Sequence, residues 1–157
     1  MEARMNLFEN PMAAKSLKYL ASAGKVVADS TVPYATQELM RMRASQINGC
    51  GFCLDMHTKE AAHAGENALR LNLVAVWREA TVFTEAERAA LALTEQGTRI
   101  ADASGGVTDE VWADVVRHYD ADQISAMVVL IANINAFNRV NVITRQIGGE
   151  YRVGQFG

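Results

Sequence analysis

The chain has 157 residues and a formal net charge of -3, with 50% hydrophobic and 21% charged residues. This length predicts one domain spanning residues 1–157, and this composition excludes a wholly disordered chain. Because no basic stretch stands out, a surface for nucleic acid or for an anionic membrane is not expected. No apolar run approaches the roughly 20 residues of a membrane span, and the first residues lack an export pattern. We therefore expect a cytoplasmic protein.

Taken in chain order, the predicted elements are all helical, because apolar residues recur every three or four positions. Asn10–Pro11 is typical of a helix start, and Asn48–Gly49 is typical of a turn between helices. The predicted helices cover about residues 10–28, 34–47, 50–64, 66–79, 84–97, 108–119 and 123–143. The tail from Gly148 onward is expected to be irregular. The predicted fold class is an all-α, single-domain bundle of about seven helices with a central antiparallel hairpin.

Two apolar segments bear on the fold class and on assembly. Segment 71–76 is the best strand candidate, because nearly every position is apolar. Its flanks extend a helical period, so we expect a helix across 66–79. The seventh helix is apolar on more than one side and carries more apolar surface than one small domain readily hides. The sequence therefore predicts a homo-oligomer.

The chemistry of the chain centres on its two cysteines, Cys50 and Cys53, and on His57. On a helical wheel at about 100° per residue, these three side chains fall within a sector of about 60°, and Cys53 lies one turn from His57. His63 lies about 120° from His57 and does not share this face. Both cysteines belong to the first turn, where unpaired N–H groups and the helix dipole favour a thiolate. This setting is typical of a low-pKa dithiol.

A carboxylate is expected beside this histidine. If the second and third helices form an antiparallel hairpin around Asn48–Gly49, Glu38 lies opposite His57. A carboxylate next to a histidine fixes the tautomer of the ring and raises its basicity, which helps the histidine to take a thiol proton.

The cysteine pair also admits other interpretations. The two cysteines could be small buried apolar side chains without chemistry. They could also be half of a zinc site that His57 and one further ligand complete. A redox-responsive or structural helical oligomer could form the disulfide without turnover, and a Cys-x-x-Cys by itself would allow a protein dithiol–disulfide oxidoreductase. The conjunction of dithiol, histidine and carboxylate favours redox chemistry.

Segment 38–57, which reads ELMRMRASQINGCGFCLDMH, resembles the core of the alkylhydroperoxidase D-like branch of the carboxymuconolactone decarboxylase family. That core has a glutamate followed by Arg-x-Ser-x-x-Asn-x-Cys-x-x-Cys-x-x-x-His. Segments 77–92 and 134–139 are also similar to this branch, so the resemblance covers roughly residues 8–145. Phe52 departs from the pattern, because the best-studied branch carries a second histidine there. In that branch the second histidine implies a proton-transfer or docking role and a link to lipoyl-type protein reductants. These two implications are not carried over to this chain.

The resemblance implies an all-α fold, homo-oligomers such as trimers or hexamers, and reduction of hydroperoxides by the cysteine pair. The family's active glutamate, two cysteines and histidine correspond to Glu38, Cys50, Cys53 and His57. The decarboxylase branch of the family lacks the cysteine pair, so lactone decarboxylation is not expected here.

The resulting hypothesis is a thiol-dependent peroxidase. His57, assisted by Glu38, deprotonates Cys53, whose thiolate attacks a peroxide oxygen and becomes a sulfenic acid. Cys50 condenses with this sulfenic acid to form a disulfide, and a dithiol reductant restores the pair. The expected partners are a small hydroperoxide and a dithiol reductant, and the steps need no metal or organic cofactor. The order in which the two cysteines act stays open at this point.

Overall fold

The computed structural model describes residues 2–156, and within them every regular element is helical. The elements are α1 (Pro11–Ala28), α2 (Tyr34–Asn48), α3 (Gly51–His63), α4 (Ala68–Leu73), a 3-10 helix (Val74–Glu79), α5 (Glu85–Thr98), α6 (Asp109–His118) and α7 (Ala121–Thr144). The all-α prediction is confirmed for these residues, and the tail after α7 is irregular as expected.

Side-chain caps determine where several helices begin. Asn10 Oδ1 accepts two backbone N–H groups of the first turn of α1, at 3.1 and 3.0 Å. Thr84 and Glu87 form a capping box at the start of α5. Asp120 and Gln123 form a second box, which starts α7 two residues before the predicted position. A cap of this kind contributes about 1 kcal/mol, so these short motifs define the helix starts.

The prediction of one helix over residues 66–79 is wrong. The chain changes from α4 into the 3-10 helix, and Val76 has non-helical backbone angles (φ -120°, ψ 29°). Leu71, Val74 and Trp77 are all buried. Val74 and Trp77, three residues apart in the 3-10 helix, share one face, whereas in a continued α-helix they would be turned about 60° from each other. Packing of this apolar row against the core therefore overrides the local helical period.

The turn between α2 and α3 forms the predicted antiparallel hairpin at the centre of the bundle. Its chain reversal passes through Gly49, whose φ of 67° is left-handed, a conformation that glycine adopts without strain. The N–H of Cys50 donates to the carbonyl oxygen of Ser45 at 2.9 Å and closes the turn. α2 packs against α3, α5 and α7, so this hairpin is held from several sides.

α7 is the longest helix and forms one wall of the core, with Met127, Leu130 and Ile134 buried. The most apolar window of α7 has a mean hydropathy of 1.4, so by length and composition this is the one helix within residues 2–156 that could cross a membrane. Asn133, Asn135, Asn138 and Arg139 interrupt its apolar residues, so α7 contains no continuous apolar run of about 20 residues. In the structure α7 packs against α1, α2 and α5 as a core helix, while Val129 and Ile143 stay exposed.

Candidate active site

The two cysteines meet at the start of α3, where they form a disulfide with their Cα atoms 5.4 Å apart. Cys50 is the N-cap of α3 and Cys53 lies in its first turn, as the spacing predicted. Cys50 Sγ accepts the backbone N–H of Cys53 at 3.2 Å, and both side chains are buried. A reduced sulfur at this helix end faces unpaired N–H groups, and such a position favours the thiolate over the thiol.

Glu38 and His57 face each other across the hairpin, as the sequence predicted. Oε2 of Glu38 lies 2.9 Å from Nδ1 of His57, and both side chains are buried. Oε1 of Glu38 accepts Nη1 of Arg41 at 2.8 Å, and Nη2 of Arg41 donates to Gln37 at 3.1 Å. The carboxylate is therefore held between an imidazole and a guanidinium, and the histidine ring has a fixed orientation.

The charge state of Glu38 determines which nitrogen of His57 carries the proton. Burial by itself raises the pKa of the Glu38 carboxyl, but the hydrogen bonds and charges of His57 and Arg41 outweigh burial and lower it below its usual value. The ionised carboxylate can only accept hydrogen bonds, so the proton of a neutral His57 lies on Nδ1. The other ring nitrogen, Nε2, is then free to accept a proton.

Asn141 on α7 donates a hydrogen bond from Nδ2 to Cys53 Sγ at 3.3 Å. This hydrogen bond comes from a helix that is far from Cys53 in the sequence. His57 lines the same cavity as Cys53. Sequence reasoning missed this contact. A signal was present, because Asn135, Asn138 and Asn141 recur every three residues along an otherwise apolar helix, and that spacing indicates a polar stripe on one face.

Two residues of this asparagine stripe hold the turn that precedes Cys50. Nδ2 of Asn48 donates to Oδ1 of Asn135 and to Oδ1 of Asn138, at 2.9 Å in each case. Nδ2 of Asn138 donates in turn to Ser45 Oγ at 3.1 Å. The Ser-x-x-Asn part of the motif therefore anchors the dithiol turn to α7 through a connected polar network.

A cavity of about 550 Å³ opens beside the disulfide. Of the two cysteines, Cys53 lines the cavity, together with His57, Arg41 and Asn141. Much of the remaining wall is apolar and includes Leu7, Leu17, Phe52, Met56, Ile134 and Phe137. A cavity of this size, mostly apolar with a few convergent polar groups, is typical of a small-molecule site.

The zinc interpretation finds no set of ligands in the described part of the chain. Within residues 2–156, no group of three or more His, Cys, Asp or Glu side chains converges as a metal site. His63, the histidine that follows His57 in the chain, is exposed at the last residue of α3. The two cysteines are joined to each other instead.

The sequence of this chain is similar to those of known proteins. Residues 15–96 match the carboxymuconolactone decarboxylase family. The uncharacterized protein YdfG of Bacillus subtilis (strain 168) is 36% identical over 142 residues, which make up 90% of this chain and 94% of that protein.

Solved structures share the helical arrangement. A protein of unknown function from Agrobacterium tumefaciens, described as a candidate AhpD antioxidant defence protein, has a TM-score of 0.88 at 33% identity and covers 96% of this chain and 100% of its own. The debrominase Bmp8 has a TM-score of 0.76 at 21% identity, over 92% of this chain and 75% of that one. At that identity the second likeness shows the fold alone, and a fold by itself does not define an activity.

Proposed function

Since this chain belongs to the carboxymuconolactone decarboxylase family, we propose that it is a thiol-dependent peroxidase that reduces hydroperoxides through the Cys50–Cys53 dithiol. The observation that carries the proposal is a disulfide whose Cys53 lines a cavity that is also lined by His57, the hydrogen-bonded partner of Glu38. The likeness to the Agrobacterium protein described as a candidate for antioxidant defence supports it.

The catalytic cycle begins with reduction of the disulfide. An external dithiol attacks one sulfur by thiol–disulfide exchange, forms a mixed disulfide and then leaves as a cyclic or protein disulfide. Both cysteines are now reduced, and the two electrons of the external dithiol are stored in the pair.

The peroxide step uses the sulfur that lines the cavity. The Cys53 thiolate attacks one peroxide oxygen, the O–O bond breaks, and the other oxygen takes a proton and leaves as an alcohol or as water. Cys53 has become a sulfenic acid. The Cys50 thiol then attacks this sulfur, the hydroxyl group leaves as water, and the disulfide forms again.

The neighbouring side chains manage the proton in this step. Because the Glu38 carboxylate keeps a proton on Nδ1 of His57, Nε2 takes the thiol proton of Cys53. The same carboxylate stabilises the imidazolium that results, and the imidazolium returns the proton to the departing oxygen. Asn141 donates a hydrogen bond to Cys53 Sγ, which stabilises negative charge on that sulfur.

Steady-state consumption of peroxide with a panel of dithiol donors tests this proposal. We expect the protein to consume many equivalents of an organic hydroperoxide with at least one donor, such as dithiothreitol, dihydrolipoamide or reduced thioredoxin. The matched control is the double variant Cys50→Ser/Cys53→Ser, whose side chains are close to cysteine in size but have no thiol, and it should show only the background rate.

Two other outcomes favour the alternative functions. Consumption of a single equivalent, followed by arrest in the disulfide form despite excess donor, would favour a redox-responsive or structural oligomer. Rapid oxidation of a reduced protein substrate without acceleration by peroxide would favour a protein dithiol–disulfide oxidoreductase.

We further propose that the chain acts as a homo-oligomer in the reducing cytoplasm. Apolar side chains on α1 and α7 are exposed to solvent, among them Tyr19, Val26, Val129 and Ile143. Exposed apolar patches are often covered by another subunit, and the resemblance to the family favours a trimer or a hexamer. A reducing compartment would keep external dithiols available for the cycle.

A further inference from the structure

The C-terminal strap, which we define as residues 148–156, is bound along α3 by specific hydrogen bonds. Asp55 Oδ2 accepts the backbone N–H groups of Gly149 and Tyr151 at 2.7 and 3.1 Å, and Lys59 Nζ donates to the carbonyl oxygens of the same two residues. Burial raises the pKa of the Asp55 carboxyl, but these hydrogen bonds and that of Lys59 outweigh burial and lower it. Asp55 is therefore an anion that holds the strap at neutral pH.

The strap also touches the backbone between the two cysteines. A Cβ atom added to Gly148 would lie 2.5 Å from the carbonyl oxygen of Gly51, so only glycine permits this approach. Further along, Glu60 Oε1 accepts the N–H of Gly154 at 2.9 Å and the hydroxyl of Tyr151. The path of the strap is thus defined from its first residues to its last.

The strap ends in an aromatic cluster at the mouth of the cavity beside Cys53. The ring of Phe156 stacks on Phe8, with centroids 5.8 Å apart, and lies 6.2 Å from the ring of Phe52. All three rings line the cavity, and Phe8 and Phe156 are 65% and 50% exposed. Phe52 is the residue between the cysteines where the best-studied branch of the family has a histidine, so here that position contributes an apolar wall.

We propose that the C-terminal strap selects the substrate, with Phe156 forming an outer wall that favours hydroperoxides with a bulky apolar body over hydrogen peroxide. This inference rests on the proposed peroxidase function. Hydrogen peroxide is close in size to water, which occupies about 30 Å³, and gains nothing from an aromatic wall. A cavity of about 550 Å³ accommodates a drug-sized apolar body, and aromatic rings provide large contact areas for it.

The ratio of kcat/KM for cumene hydroperoxide to kcat/KM for hydrogen peroxide measures this selection. One methylene group of apolar contact in a hydrophobic pocket is worth about 10–200-fold in discrimination, and Phe156 is half exposed, so Phe156→Ala should lower the ratio about tenfold. Gly148→Ala, which must shift the strap away from Gly51, should lower it as well. The control is Val153→Ala, an exposed strap residue outside the cavity wall, which should leave the ratio unchanged.

Binding of an unreactive ligand separates this inference from the proposed function. We expect the disulfide form to bind 2-phenyl-2-propanol, the alcohol derived from cumene hydroperoxide, in an NMR titration, and Phe156→Ala to weaken the Kd about tenfold. If the wild type consumes no peroxide, the proposed function is overturned, while the titration still decides the role of the strap. An unchanged Kd in Phe156→Ala, or equal losses of kcat/KM for both peroxides, would overturn the role of the strap and leave the peroxidase proposal standing.

Discussion

Replacing Glu38 with glutamine tests the charged pair at the centre of the site. The amide has nearly the shape of the carboxylate but no charge, so the variant loses the ionic part of two hydrogen bonds, to His57 at 2.9 Å and to Arg41 at 2.8 Å. A hydrogen bond to a charged group contributes about 1.5–3 kcal/mol, and a neutral one contributes about 0.5–1.5 kcal/mol. The free energy of unfolding should therefore fall by about 2–3 kcal/mol near neutral pH.

The pH dependence of this loss has a defined sign. Burial raises the pKa of the Glu38 carboxyl, but His57 and Arg41 lower it below the unfolded value, which is about 4.3 for glutamate. A carboxyl whose pKa is lower in the folded chain than in the unfolded chain stabilises the folded state at pH values above its pKa in the unfolded chain. This stabilisation is lost as the pH falls through the pKa of the folded chain. The difference between wild type and Glu38→Gln should therefore persist from neutral pH to about pH 4.3 and shrink below it.

Urea unfolding of both proteins provides the measurement, with the disulfide intact and the protein concentration held constant. Steps from about pH 7 to about pH 3.5 cover the expected change. Exposed Glu79→Gln is the matched control and should cost less than about 0.5 kcal/mol. Equal stability of wild type and Glu38→Gln near neutral pH, or a difference that grows on acidification, would refute the argument that an ionised Glu38 holds the pair.

The remaining predictions concern turnover, the turn network and assembly. His57→Ala should lower kcat/KM for peroxide at neutral pH by about 10²–10⁴-fold, with partial recovery in a pH–rate profile at higher pH; an unchanged profile would remove His57 from the mechanism. Cys53→Ser should abolish turnover, whereas Cys50→Ser should gain one oxygen atom by mass spectrometry and form no internal disulfide. Asn138→Ala should lower the free energy of unfolding by about 1–3 kcal/mol in urea, because Asn48 and Ser45 lose a buried partner. Light scattering should give a mass that is a multiple of the 17.1 kDa chain, and a purely monomeric species would contradict the predicted homo-oligomer.

Several features of the site follow from signals that act over a few residues. The side chains of Asn10 and Thr84 cap the helices that they precede, and Gly49 supplies the left-handed residue of the hairpin turn. Once α2 and α3 are joined by so short a turn, their register is determined, and Glu38 must lie opposite His57. These contacts could be predicted because the interacting groups are at most about one hairpin apart in the chain.

Other features depend on segments that meet only after the chain has folded. The hydrogen bond from Asn141 to Cys53 and the contact of Gly148 with Gly51 each join residues that are far apart in the sequence. Tertiary packing also converts the predicted helix before residue 79 into a 3-10 helix, because the buried apolar row has a spacing of three.

The sequence by itself therefore determined the helices outside residues 66–79, the hairpin and the grouping of the dithiol with its histidine and carboxylate, because local hydrogen bonding and helical periodicity are sufficient for each. Only the tertiary structure decided what surrounds that group. The cavity wall combines Phe8 from the start of the chain, Phe156 from its irregular tail and Phe137 from α7, and no local signal relates these positions. Their proximity results from packing between distant segments, which depends on the shape and volume of the whole core rather than on the preference of any one stretch of chain.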